Sequence, residues 1–207
     1  MSGHALLPAG APDSAPPAEF MEHGLQRSLS GPALVFLSGA ALLFSTYQLV
    51  VAAFQPVSSL VMRALHVGFL LLLVFVLYPA ARRGSHLTRV PVFDWLLAFV
   101  GFGLAFYQWV FEADLIQRAG DPTMLDLVVG TATVVLVFEA ARRVLGVALP
   151  LVCGAFLLYG LFGQYLPGEL AHRPYAFSQV VDQMGFGTEG IYGIPTLVSA
   201  TYIFLFI

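Results

Sequence analysis

The stretch "LLLLVFVLYPAA", Leu70 to Ala81, carries no charge and no alternation, and blocks like it recur along the chain. A block of this kind decides what the polypeptide can become. The hydrocarbon core of a bilayer is about 30 Å thick and takes about 20 apolar residues of helix. Backbone groups in lipid find no water, so each spanning segment must satisfy its own hydrogen bonds, as a helix does. A barrel would need short strands that alternate apolar with polar residues, and this block does not alternate. Candidate spans are Ala33–Phe54, Leu60–Ala81, Val92–Phe111, Leu125–Ala141 and Val144–Phe162, with a sixth opening near Ile194. The expected fold is therefore all-α: a polytopic helical membrane protein with five complete transmembrane helices and a truncated sixth. From Ile194 to Ile207, at about 1.5 Å per residue, that sixth segment reaches roughly 21 Å, short of a crossing.

Composition agrees with the bilayer. Hydrophobic residues make up 58% of the 207 and charged residues 10%, whereas a soluble domain carries about 25% charged residues. The net charge of −3 gives no reason to expect a nucleic-acid partner. All nine basic residues are arginines, and Cys153 is the one cysteine, so no disulfide framework or thiolate metal site is expected. Residues 1–30 are rich in Pro, Ala, Gly and Ser and read as a flexible tail.

Breaks between spans are well marked by "FQPVSS", "ARRGSHLTRVP", "EADLIQRAGDPT" and "QYLPGELAHRPY". Arginine placement orients the spans. Arg27, Arg82, Arg83, Arg89, Arg142 and Arg143 fall on the side of the tail, against Arg63, Arg118 and Arg173 on the other. That balance predicts a cytoplasmic N-terminus and an outward-facing loop from Gln164 to Gly193.

Two stretches are candidates for more than spanning. "GFGTEG", Gly185 to Gly190, formally matches a dinucleotide fingerprint, but it lacks the strand and βαβ unit that the motif requires. Its glycines, with Gly193, permit unusual backbone angles and close approach, and Pro195 suits the first turn of a helix. Glu189, Gly190, Gly193 and Pro195 are thus candidate substrate- or ion-binding residues at a helix start. The plainer expectation for them is a tight loop entering an ordinary span. In "FEAARR", Glu139 stands three and four residues before Arg142 and Arg143, so the three share a helix face and can pair. They are expected to be a structural charge cluster at a turn. Arg63 and His66 open the second span, with His66 expected to be a hydrogen-bonding residue. The small residues of "GFGLA", Gly101 to Ala105, permit close helix packing. No paired acid and base, metal-ligand cluster or Walker A sequence appears, so the chain is not expected to be an enzyme or to couple directly to ATP.

Several stretches together resemble a known family. "YQLVVAAFQPVSSLVMRALHVGFLLLLVFVLYPA", "FDWLLA", "LDLVVGTATVVLVFEAARRVLGVALPLV", "LYGLFGQYLPGELAHRPYAFSQVVDQM" and "TEGIYGIPTLVSATYIFLFI" are similar to fused permeases of tripartite ATP-independent periplasmic (TRAP) transporters of the TAXI type. The resemblance covers Phe44 to Ile207. It implies a multi-pass protein of a bacterial inner membrane that takes part in secondary active transport. Uptake of organic anions, commonly carboxylates, would be driven by sodium as the coupling ion, with no other cofactor. A periplasmic solute-binding protein would deliver the substrate. On the same resemblance, 31–122 corresponds to the small subunit, and 123–207 opens the large-subunit permease region, whose remaining part would be a partner; a boundary near Gly146 is the alternative. A non-transporting membrane scaffold or assembly subunit is the alternative expectation.

Overall fold

A computed structural model of the chain describes residues 26–80 and 88–203, and among these it is helical with no strand. The elements are α1 (Pro32–Phe54), α2 (Ser59–Leu77), α3 (Val92–Val110), α4 (Glu112–Gln117), α5 (Met124–Leu145), α6 (Ala148–Phe162), α7 (Phe177–Gly185) and α8 (Ile194–Val198). The last runs into a π-helical turn at Ser199–Ile203. Five helices are long and apolar enough to cross a membrane, and Ile194–Ile203 adds a shorter apolar one. The expected polytopic all-α architecture is thus the observed one. Residues 1–25 of the expected tail lie outside the described residues.

Local chemistry sets the helix ends. Pro32 sits in the first turn of α1, where its missing N–H is no loss. That helix stops at Gln55, which takes a left-handed conformation with φ 46° just before Pro56. The Ser58 hydroxyl accepts from the Val61 N–H at 3.1 Å and caps α2. Thr123 and Asp126 form a reciprocal capping box at the start of α5, which ends at Gly146 with φ 87°.

The chain alternates through the layer. The starts of α1, α3 and α6 and the ends of α2 and α5 share one face, here the near face. Helix α2 is the centre of the bundle, and its buried residues run from Val61 to Val76. Its tightest partner is α3. A Cβ on Gly68 would stand 2.5 Å from Ala105 Cβ, and one on Gly101 would stand 3.0 Å from Leu71 Cβ. Gly101 and Ala105 of "GFGLA" therefore do face a neighbouring helix, whereas Gly103 does not. At the other extreme, α6 has no buried residue, and Leu151 and Phe156 are 66% and 72% exposed. A helix apolar all round and exposed suits lipid or a further helix.

The segment after α6 departs from the expected outward loop. Helix α7 packs Val181 and Gly185 on Gly130 of α5. Phe186 then joins a buried cluster with Leu115 and Val129. Ile191 and Thr196 lie along a groove with Val67, Leu71 and Val74 of α2. From there the chain passes His66 at Ser199, Met62 at Ala200, and Ser59 at Thr201 and Tyr202. The contacted α2 positions step back towards its start, so α8 and the π turn run towards the far face, from which α7 came. The 177–203 stretch is a re-entrant hairpin whose tip buries Tyr192 and Gly193 in the bundle and leaves Thr188 and Glu189 exposed. Two features correct the reading of 164–193 as a wholly external loop. Glycines let α7 approach α5 backbone to backbone. The tip also satisfies itself, with Ile191 N–H donating to Met184 O and Gly193 N–H to Gly190 O, each at 3.0 Å. Irregular backbone at membrane depth is tolerated where protein surrounds it in this way.

Candidate functional site

Two polar layers lie inside the apolar bundle, one near its middle and one at the near face. The middle layer joins α1, α2 and the hairpin. Gln48 and His66 are both buried, at 0% and 1% exposure. The Gln48 amide N–H₂ donates to the Ala200 carbonyl of the π turn. That bond leaves its Oε1 facing His66 Nδ1 at 3.2 Å, while His66 Nε2 lies 3.1 Å from Ser199 Oγ. A single neutral tautomer satisfies the set, with Nδ1–H donating to Gln48 and Nε2 accepting from the Ser199 hydroxyl. The π turn matters here because it breaks the regular ladder and turns a carbonyl towards a side chain.

One turn earlier on α2, Arg63 is also buried. Its Nη1 donates to the Tyr192 carbonyl at 2.6 Å, and its Nε and Nη2 donate to Ser59 Oγ at 3.3 and 2.8 Å. Arg63 therefore holds the hairpin tip against α2. Among the described residues it makes no ion pair with a carboxylate.

The near-face layer is ionic. Glu139 accepts from Arg142 at 2.7 Å through two bonds and from Arg143 at 2.8 Å. The expected charge cluster is present, and it extends beyond its own helix. Arg143 reaches Asp94 Oδ1 at 2.9 Å and the Tyr78 carbonyl at 3.2 Å, and its guanidinium lies 4.9 Å from the Phe75 ring centre. Asp94 also pairs with Arg27. Arg27 in turn donates to the Phe75 and Val76 carbonyls at 2.9 and 2.8 Å. A cation there satisfies the free carbonyls at the end of α2 and suits the negative end of its dipole. Residues 26–30, read as tail, are thus the anchor of the near face.

The remaining sequence candidates sit apart. Glu189 is exposed and makes no hydrogen bond or ion pair among the described residues, and Pro195 is exposed at the start of α8. Gly190 and Gly193 belong to the hairpin tip. Neither they nor Gly185 and Gly187 have positive φ, so close approach is what requires them. A Cβ on Gly190 would stand 2.5 Å from both Cα and O of Met184. Among the described residues these four candidates make no hydrogen bond or ion pair with Glu139, Arg142 or Arg143, which form their own cluster at the near face.

Residues for which the sequence reading has no role include Gln48, Ser199 and Asp126. For the first two the signal is a polar residue inside an apolar run. For Asp126 it is the Thr-x-x-Asp spacing. Asp126 is buried, accepts from Tyr107 Oη at 2.5 Å, and pairs with Arg118 at 3.0 Å, closing the far-face end of α5.

Outside the spans, His172 ties down the loop after α6. Its Nδ1 lies 2.7 Å from Arg173 O and its Nε2 lies 2.9 Å from Tyr159 O. Both nitrogens can donate only in the imidazolium. The Arg173 carbonyl, and after it that of Tyr159, therefore raise the His172 pKa above its ordinary value of 6.5. A raised value stabilises the loop fully below pH 6.5, and the contribution fades as pH rises through the shifted value. An NMR titration of His172 is expected to show a midpoint above 6.5. Gly163→Ala should lower that midpoint, because its methyl group would overlap the imidazole ring.

No family model matches this chain, and no curated protein or solved structure is significantly similar to it.

Proposed function

We propose that the protein is a membrane permease component of a TRAP-type secondary transporter, taking up organic anions, in particular carboxylates, on a sodium gradient. The observation that carries this reading is the buried Gln48–His66–Ser199 layer, formed where a re-entrant, interrupted helix meets α1 and α2. Polar groups at membrane depth are costly and mark transport paths. Carriers commonly build their sites from discontinuous helices. The sequence resemblance supplies the rest: a bacterial inner membrane, a periplasmic solute-binding protein as donor, and further permease helices as partners. The near face, rich in arginine, would be cytoplasmic by the positive-inside rule.

A scaffold without a path of its own is the second reading. It is favoured by the near-face charges, which neutralise one another across α3, α5 and Arg27. Uptake separates the two. Proteoliposomes holding the chain within its complete permease, with the binding protein outside, are expected to accumulate labelled carboxylate only under an inward sodium gradient. Substituting His66 by phenylalanine should reduce that uptake at least tenfold. Uptake that needs neither sodium nor the binding protein would sink the transport reading, and full uptake by the phenylalanine variant would favour the scaffold.

A further inference from the structure

A cavity of about 370 Å³ opens between α1, α2 and the π turn, lined among others by Gln55, Ser59, Thr201 and Tyr202. We propose that it is an anion site, taking a carboxylate or phosphate group against the Ser59 hydroxyl with the Arg63 guanidinium behind it.

The charge balance comes first. Arg63 is buried, and its three partnered nitrogens meet only a hydroxyl and a backbone carbonyl. The nearby acid, Glu112, is engaged by the Ser58 hydroxyl and makes no ion pair with Arg63. Arg63 also stands in the first turns of α2, where the helix dipole is already positive. A buried cation without a counter-ion is expensive, and an anion in the adjoining cavity offsets that cost.

The geometry gives the anion its place. Ser59 Oγ accepts two hydrogen bonds from Arg63, so its own proton is left to donate, and Ser59 lines the cavity. A hydroxyl polarised by a guanidinium is a strong donor to a negatively charged oxygen. Tyr202, which also lines the cavity, carries a second hydroxyl. Carboxylate and phosphate share the needed chemistry, and the phosphate can be free or part of a lipid headgroup.

The inference gives the transport reading a place in the bundle, and binding is measured without any gradient so that the two can fail separately. The full chain in detergent is titrated with sodium acetate or sodium phosphate against sodium chloride at equal ionic strength, following its melting temperature. A parallel arm compares nanodiscs of phosphatidylcholine with nanodiscs containing phosphatidylglycerol. The expected result is a saturable rise in melting temperature with at least one of these anions, weakened at least tenfold in Ser59→Ala and kept in Ser59→Thr. If Ser59→Ala does not fold, Tyr202→Phe is read instead, with an expected severalfold loss. A response to phosphatidylglycerol alone assigns the site to a lipid headgroup. The absence of any saturable response, or equal binding by wild type and Ser59→Ala, overturns the proposal. A chain that binds the anion and does not transport it leaves this site standing and removes the transport reading.

Discussion

Asp94→Ala is expected to destabilise the protein by about 3–5 kcal/mol, the usual cost of leaving a buried ion without its partner. Two arginines depend on this one carboxylate. The side chains of Arg27 and Arg143 are 0% and 1% exposed, and that of Asp94 is 3% exposed. Without Asp94, Arg143 keeps Glu139 and the Tyr78 carbonyl, and Arg27 keeps the Phe75 and Val76 carbonyls but loses this carboxylate. The variant should melt far below wild type in detergent and accumulate poorly in membranes. A second variant tests the cause. Replacing Asp94 by leucine and Arg27 by methionine together removes the charge and its dependent at once. Swapping a buried pair for apolar residues of similar size is often close to neutral. The double variant should therefore recover most of the lost melting temperature. If it melts no higher than Asp94→Ala, packing at that corner rather than charge is what Asp94 supplies.

Gly190→Ala is the second large effect. Its methyl carbon would meet Met184 Cα and O at 2.5 Å and Gln183 O at 2.7 Å. All three are backbone atoms, so no side chain can swing aside. The turn has to open, which breaks the Ile191 to Met184 hydrogen bond and moves the Tyr192 carbonyl away from Arg63. Forced insertion of a methyl group into a packed interior costs about 1–3 kcal/mol. Hydrogen exchange should rise across 188–193 and at Arg63. Gly103→Ala is the control, because nothing lies within 4 Å of its added Cβ. It should not lower the melting temperature, since alanine favours the interior of α3, and it should leave the exchange across 188–193 unchanged.

The spans were legible because their signal is local. Long apolar runs ended by Pro, Gly and charged residues locate α1 to α3, α5 and α6 to within a few residues. The pairing of Glu139 with Arg142 and Arg143 was equally local, set by helical spacing alone. Asp94 shows where that kind of reading stops. Its partners lie 67 and 49 residues away, and nothing in the neighbouring sequence chooses between them and water. Helix α7 was missed for a related reason. It has nine residues, too few for a spanning pattern, and its fit depends on Gly130 in another helix. The glycines of "GFGTEG" were recognised as special, but for two possible reasons at once. Only the packed structure separates close approach from a left-handed backbone. His66 reads as a hydrogen-bonding residue from its sequence alone, but its partners Gln48 and Ser199 lie 18 and 133 residues away, and Ser199 meets it only because the hairpin turns back.

The order of the near-face charges along the chain has a bearing on how the protein is made. Arg27 leaves the ribosome first, and Asp94 follows at the head of α3, so the nascent three-helix stage already holds one cation with one anion. Arg143 arrives later with α5, and it brings Glu139 four residues ahead of it. Asp94 therefore reaches the translocon with Arg27 already made, and Arg143 arrives with Glu139 on the same helix, so no step of biogenesis has to bury a solitary charge at that corner.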